Sequence, residues 1–137
     1  MAGGVEEAKV TYPHFFNGPD GRLYFKHRYG SSGNGVELYK VFDTETVEWR
    51  QLQQTAFVDG EGERNGYFAG PKLERDGRFH LAWVWRETPS ANTNHDVSYA
   101  RSRDLLNWET SDGTPLELPI RLSTAEVVDA VQVGGGL

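Results

Sequence analysis

Two tyrosine–arginine pairs occupy matching places in the sequence, and their side chains could do chemistry together. Tyr12 and Arg28 each lie eight residues from Asp20 of a Gly-Pro-Asp-Gly turn, and Tyr67 and Arg86 each lie nine residues from an Asp-Gly turn. A guanidinium offsets the charge of a carboxylate through paired hydrogen bonds, and a phenol accepts or delivers a proton. A structural explanation is also open, because strands favour tyrosine and arginine packs over aromatic rings. The repetition of the pair strengthens the interpretation as a shared site, but it leaves both explanations standing.

The segments that carry these pairs have the pattern of an all-β chain. Turn signals recur about every 8–12 residues and helical periodicity is almost absent. In hairpins centred on Asp20 and on Asp76-Gly77, Tyr12 would lie opposite Arg28 and Tyr67 opposite Arg86. Eight strands are predicted: Val10–Phe16, Arg22–Tyr29, Val36–Asp43, Glu48–Gln53, Tyr67–Glu74, Arg78–Glu87, Asp96–Ser102 and Trp108–Thr110.

The eight strands fall into two copies of one unit. The segment "DGRLYF" at 20–25 reappears as "DGRFHL" at 76–81, an offset of 56 residues. Four-stranded antiparallel repeats of this length are typical of β-propeller blades, in which ring closure protects the sheet edges. Three further matches support the repeat: Tyr39 with Tyr99, Asp43 with Asp104, and Trp49 with Trp108.

We therefore predict an all-β fold of antiparallel four-stranded β-propeller blades, with two blades and the first strand of a third. Propellers have about 4–8 blades, so the chain would be a fragment of a larger propeller whose remaining blades are missing from it. The predicted divisions are an N-terminal tail at 1–9, a first blade at 10–54, an acidic linker loop at 55–66, a second blade at 67–118, and a connection with the first strand of a third blade at 119–137.

Composition excludes several classes of function. The net charge of −6 opposes non-specific binding to nucleic acid, because the electrostatic contribution would be repulsive. No segment approaches the roughly 20 apolar residues that span a bilayer, and the first residues lack a signal-peptide pattern. The absence of cysteine excludes disulfides and thiolate metal sites.

Other polar motifs give weaker signals. The acidic loop at 59–66 does not match a calcium loop, because Arg64 and Gly70 stand where glycine and glutamate are required. The four histidines lack the i, i+4 spacing of a zinc site, so no metal or cofactor is predicted, although a structural ion in the complete protein stays open. His95 precedes a strand within "TNHD", where it either fixes the loop by hydrogen bonds or contacts a ligand. Trp83 and Trp85 share a face with other apolar residues, which predicts core packing.

The chain resembles the BNR-4 repeat family along "YPHFF…DGRLYFKHRYGSSGNG" and again along "GRFHLAWVWRETPSANTNHDVSYARSRDLLNW". This family includes seven-bladed β-propeller polysaccharide lyases that act on ulvan and related rhamnose–glucuronate glycans. The resemblance implies that Tyr12 is the catalytic tyrosine and that Arg28 lies near the carboxylate of an acidic polysaccharide. It further implies that Tyr67 and Arg86 bind substrate. His95, from its position in the loop, is a further substrate-binding candidate. The family's active-site histidines have no counterpart here, so the isolated chain is expected to be inactive.

The implied reaction is β-elimination at a uronate, in which Arg28 would offset the carboxylate charge and Tyr12 would carry protons. Two alternatives remain open at this point: a non-catalytic glycan-binding propeller and a sialidase-like glycosidase. A sialidase would require three converging arginines and a carboxylate beside the tyrosine. The resemblance also implies that the complete protein is secreted or periplasmic.

Overall fold

The computed structural model describes residues 10–31 and 34–137, and these residues form ten β-strands and one 3-10 turn at Ala91–Thr93. The first four strands are β1 (Val10–Asn17), β2 (Leu23–Ser31), β3 (Asn34–Asp43) and β4 (Glu48–Gln51). The other six are β5 (Asn65–Leu73), β6 (Phe79–Arg86), β7 (Asn94–Ser102), β8 (Trp108–Glu109), β9 (Pro115–Leu116) and β10 (Glu126–Asp129). Within the described ranges there is no α-helix, so the prediction of an all-β chain is confirmed.

The strands form two antiparallel sheets, one for each copy of the repeated unit. The first sheet has the order β1-β2-β3-β4. The second has the order β5-β6-β7-β8-β9, and β10 also pairs with β7. The segment 119–137, predicted to begin a third blade, thus places its strand on the second sheet instead. It can do so because β8 pairs with only the last two residues of β7 and leaves the preceding residues of that edge open.

The two hairpins that begin the sheets share one turn geometry. Asp20 accepts a hydrogen bond from the Arg22 amide at 3.0 Å, and Asp76 accepts one from the Arg78 amide at the same distance. Each turn continues with a glycine at positive φ, as a three-residue hairpin loop requires. The first turn is centred on Asp20 as predicted. The second was predicted as a two-residue turn about Asp76-Gly77, which is wrong, because Leu73 pairs with Phe79.

Both first strands also contain a register shift that moves the predicted tyrosine pairs. The β1–β2 pairing shifts between Thr11 and His14, so Thr11 rather than Tyr12 lies opposite Arg28. The β5–β6 pairing shifts between Ala69 and Lys72, and Tyr67 lies opposite Val84. Each shift contains a proline, whose missing N–H cannot contribute to a strand ladder. The predictions that Tyr12 pairs directly with Arg28, and Tyr67 with Arg86, are therefore wrong.

A layer of aromatic side chains fills the space between the two sheets. The Phe79 ring of the second sheet lies 5.7 Å from the Phe16 ring and 6.0 Å from the Tyr24 ring of the first. Along β6 the burial alternates strictly, which places Trp83 and Trp85 in the core as predicted.

Phe57, from the connection between the sheets, is the centre of this layer. Its ring contacts Tyr39 of the first sheet at 6.2 Å and Trp108 of the second at 4.8 Å, measured between ring centroids. Trp83 approaches it edge-on at 5.6 Å. Phe57 has no solvent-exposed surface, so one side chain of the linker joins the cores of both sheets.

Hydrogen bonds hold this connection to the segment that follows the second sheet. Val58 and Ile120 form a parallel bridge, with the Ile120 amide donating to the Phe57 carbonyl at 2.9 Å and the Asp59 amide donating to the Ile120 carbonyl at 2.8 Å. Arg121 and Asp59 add an ion pair at 3.1 Å. The linker is thereby fixed on both sides of Phe57.

The matched aspartates of the repeat stabilise equivalent turns. Asp43 accepts hydrogen bonds from the backbone amides two and three residues later, and Asp104 does the same. Burial raises the pKa of Asp104, but hydrogen bonds from Asn107, Leu106 and Ser102 outweigh it and leave that pKa below its ordinary value. The prediction that these aspartates correspond is confirmed in geometry.

We expect Phe57→Ala to lower the free energy of unfolding by about 3–5 kcal/mol, because it opens a cavity between two packed sheets. Urea unfolding followed by tryptophan fluorescence measures the change. Leu106→Ala, at an exposed position, is the matched control and should change the free energy of unfolding by less than about 0.5 kcal/mol. Equal losses for both variants would contradict the central role of Phe57.

We expect Asp104→Ala to cost about 1–3 kcal/mol at neutral pH, because two backbone amides lose a charged acceptor. The folded-state pKa of Asp104 is lowered, so its contribution is present above the ordinary carboxyl pKa and is lost as the pH falls through the lowered value. The difference between wild type and variant should therefore shrink in acid. Unfolding curves at several pH values test this, with the exposed Asp129→Ala as control.

Candidate functional site

Three of the predicted site residues meet where the two sheets join. The Nη2 group of Arg28 donates to the Tyr67 hydroxyl at 3.2 Å. The guanidinium carbon of Arg28 lies 4.6 Å from the Tyr67 ring centroid, and that of Arg86 lies 3.6 Å from it. Cations over an aromatic face are attracted by the electron-rich ring. One phenol ring thus lies against two guanidiniums.

Each of these side chains is positioned by a strand. Arg28 lies on β2, on the same face as Tyr24, which packs against the second sheet. Tyr67 lies on β5, the first strand of the second sheet. Arg86 ends β6 opposite Asn65, two residues from Tyr67, and such diagonal neighbours are within reach of a long side chain. The predicted contact between Tyr67 and Arg86 therefore forms, but between diagonal neighbours and not between directly opposite residues.

The structure places Tyr12 at the β1 irregularity, on the strand that neighbours the strand of Arg28. Its neighbour Thr11 pairs with Arg28, while the Tyr12 side chain is 65% exposed. Tyr12 has a φ of 55°, a left-handed conformation that bulky residues rarely adopt and that often marks functional positions. The hydroxyl is accessible to a ligand, and its role in proton transfer stays a prediction.

A buried ion pair lies beside Arg28. Lys26 Nζ and Glu37 Oε1 are 3.0 Å apart, with side chains 8% and 3% exposed. Lys26 also donates to the Gly70 carbonyl of β5 at 2.6 Å, which joins the two sheets a second time. Burial raises the pKa of Glu37, an effect that Lys26 and Arg28 only partly offset.

Cationic side chains cluster at this junction. Lys26, Arg28 and Arg86 contribute three cationic groups, whereas Glu37 is the carboxylate that faces Lys26. An anionic ligand group would be favoured here, since a guanidinium binds carboxylates through charge-assisted hydrogen bonds.

His95 lies in a polar network behind Arg86. Its Nε2 atom is 2.6 Å from Glu87 Oε1, and its Nδ1 atom is 3.1 Å from Asp96 Oδ2. Burial tends to raise the pKa of Glu87, but the hydrogen bonds from Arg64 and His95 leave it below its ordinary value. Both ring nitrogens of His95 are used within the chain, as a loop-fixing role requires. A ligand contact by His95 stays a prediction.

A cavity of about 630 Å³ adjoins the cluster at the linker loop. Gly35 and Asn65 line it on the side of Arg28 and Arg86, and carboxylates line the other side. Arg28, Tyr67 and Arg86 are not themselves among the residues that line this cavity. Among the described residues, no group of three or more side chains could hold a metal ion, and no helix is long and apolar enough to cross a membrane.

Sequence reasoning missed several residues of the cluster. Lys26 lies on the same buried strand face as Tyr24, and Glu37 lies on the same buried strand face as Tyr39. Charged residues at such positions are a recognisable signal of a polar interface. Gly35, Asn65 and Asn94 gave no such signal, since their roles depend on contacts between separate strands or separate sheets.

Comparison with known proteins shows which family the chain belongs to. The BNR repeat-containing family matches residues 1–137, and the chain belongs to this family. The ulvan lyase short isoform of Alteromonas sp. (strain LOR) is 25% identical over 136 residues, covering 88% of this chain and 25% of that protein. The ulvan lyase long isoform of Pseudoalteromonas sp. (strain PLSV) is 24% identical over 123 residues, covering 82% of this chain and 12% of that protein.

Two solved structures show the fold. The polysaccharide lyase Uly1 superposes with a TM-score of 0.64 at 22% identity, over 89% of this chain and 26% of the other. A polysaccharide lyase PL25 ulvan lyase superposes with a TM-score of 0.67 at 14% identity, over 85% and 29%. The two sheets are thus β-propeller blades, as predicted, and the chain spans about a quarter of the length of these solved chains.

We expect Glu37→Gln to lower the free energy of unfolding by about 3–5 kcal/mol, because it leaves the Lys26 ammonium buried without its counter-ion. The double variant Lys26→Met/Glu37→Met removes both charges and should be much less destabilised. Urea unfolding of the single and double variants provides the comparison. A double variant less stable than the single one would show that the pair itself is strongly stabilising.

Proposed function

We propose that this chain forms part of a polysaccharide lyase that cleaves a uronate-containing glycan of the ulvan type by β-elimination. The observation that carries the proposal is the convergence of Arg28 and Arg86 on Tyr67 at the junction of two propeller blades. The names of the relatives supply the substrate class, because they are ulvan lyases.

In this mechanism the guanidinium of Arg28, which is 4% exposed in the free chain, offsets the charge of the uronate carboxylate. Removal of the C5 proton places negative charge on the carboxylate, which a fixed cation stabilises. The electron pair from the C5–H bond forms the C4–C5 double bond, and the bond from C4 to the leaving oxygen breaks. The C5 proton passes to a base, and the leaving oxygen gains a proton.

Tyr12 is the residue we assign to these proton transfers. Tyr12 is exposed, and its bulge follows Thr11, whose backbone pairs with that of Arg28. Tyr67 and Arg86 hold the substrate from the neighbouring blade. The cavity lined by Gly35 and Asn65 offers space for an adjoining sugar.

The experiment has two arms, binding and turnover. Calorimetric titration of the chain with an acidic rhamnose–glucuronate oligosaccharide measures binding. Ultraviolet absorbance of the unsaturated product measures turnover in the complete protein that carries these blades. Binding with product release supports the lyase. Binding without product would replace it with a glycan-binding module, and release of a saturated sugar would replace it with a glycosidase.

In the complete protein, Tyr12→Phe should lower kcat by about 10²–10⁴-fold and leave glycan affinity within about twofold, because only the proton-carrying hydroxyl is lost. Tyr29→Phe is the matched control, since Tyr29 lies on the same hairpin. Unchanged turnover in Tyr12→Phe would end the assignment of Tyr12 to proton transfer.

Arg28→Ala should weaken glycan binding and turnover together, by about 30-fold or more, because the group that offsets the uronate charge is gone. Arg28→Lys should restore only part of the loss, since an ammonium keeps the charge but not the paired hydrogen bonds. Full activity with lysine would show that charge alone is required. Kd and kcat/KM for the three proteins separate these results.

A further inference from the structure

Gly35 lies directly beneath the guanidinium of Arg28. A Cβ atom added at Gly35 would stand 2.6 Å from Nη1 and 2.7 Å from Nη2 of Arg28, and closer still to its Cζ atom. Such distances are far inside van der Waals contact, so any side chain at this position would displace the guanidinium. Arg28 is only 4% exposed and has little room to move aside.

The backbone at Gly35 does not itself demand glycine. Its φ lies outside the left-handed region, in contrast to that of Gly30 on the adjacent strand. In the β2–β3 pairing, Arg28 lies opposite Glu37, and Gly35 is two residues further along the same face of β3. The Arg28 side chain therefore crosses β3 diagonally over the position where the side chain is missing.

Gly35 is also tied to the second sheet. Its amide donates to Asn65 Oδ1 at 2.9 Å. Asn65 begins β5, two residues before Tyr67, and it pairs with Arg86. One hydrogen bond thus joins the strand beneath Arg28 to the strand that carries its partner.

We propose that Gly35, together with Asn65, is a positioning residue that holds the Arg28 guanidinium against Tyr67. The absence of a side chain provides the space, and the amide–Asn65 hydrogen bond sets the distance between the two blades at that point. The consequence for activity rests on the proposed function, because it assumes that Arg28 binds the substrate carboxylate.

A double-mutant cycle on the complete protein tests the proposal, with Gly35→Ala, Arg28→Ala and the double variant. Gly35→Ala should weaken binding of the acidic oligosaccharide about as much as Arg28→Ala does, by about 30-fold. In the Arg28→Ala background, Gly35→Ala should have less than about a twofold effect, since no guanidinium remains to be displaced. Independent, additive losses would overturn the proposal. Leu38→Ala, on the opposite face of β3 and outside the lining of the cavity, is the control and should bind normally.

A second measurement needs no activity. Aromatic rings shift the resonances of nearby protons, so the Arg28 side chain should show ring-current shifts from Tyr67 in the NMR spectrum of the chain. Gly35→Ala and Asn65→Ala should reduce these shifts, and retained shifts in Gly35→Ala would overturn the proposal even if no glycan is cleaved. Should Gly35→Ala fail to fold, the double variant with Arg28→Ala should recover folding, and its failure to do so would also count against the proposal.

Discussion

The burial of Phe57 between the two sheets is the constraint on which the candidate site depends. Its ring is fully enclosed and contacts Tyr39 on one sheet and Trp83 and Trp108 on the other. Arg28 belongs to the first sheet, whereas Tyr67 and Arg86 belong to the second. Without this apolar layer the sheets would not face each other, and the phenol would not lie between cations from different blades.

The polar junction adds specificity to that apolar packing. A buried ion pair such as Lys26–Glu37 contributes little net stability, because the desolvation of both charges offsets their attraction. Its geometric requirements are strict, however, since Lys26 must also reach the Gly70 carbonyl of the other sheet. The aromatic layer brings the sheets together, and the polar contacts select one alignment.

Strands and turns could be predicted from the sequence because their signals are local. The Asp20 and Asp76 turns were recognisable from the repeated Asp-Gly-Arg, and the aspartates at 43 and 104 cap equivalent turns.

The register could not be obtained by counting from the turns, because Pro13 and Pro71 interrupt the first strand of each blade. Arg86 nevertheless contacts Tyr67, because its long side chain reaches the residue diagonally across the strand pair. The partners across the sheets, such as Gly35 and Asn65, could not be predicted because nothing in a single sequence records which strands meet in space.

The bridge between Val58 and Ile120 has a consequence for motion. Two sheets joined by one linker could rotate about it, and many binding proteins close on their ligands by such hinges. Here the linker is hydrogen-bonded at Phe57 and Asp59 to Ile120 of the segment that follows the second sheet, and Arg121 forms an ion pair with Asp59. These contacts oppose rotation about the linker, so Arg28 and Arg86 keep their separation across the sheet junction, and a ligand bound there would not require the entropy loss of closing the blades.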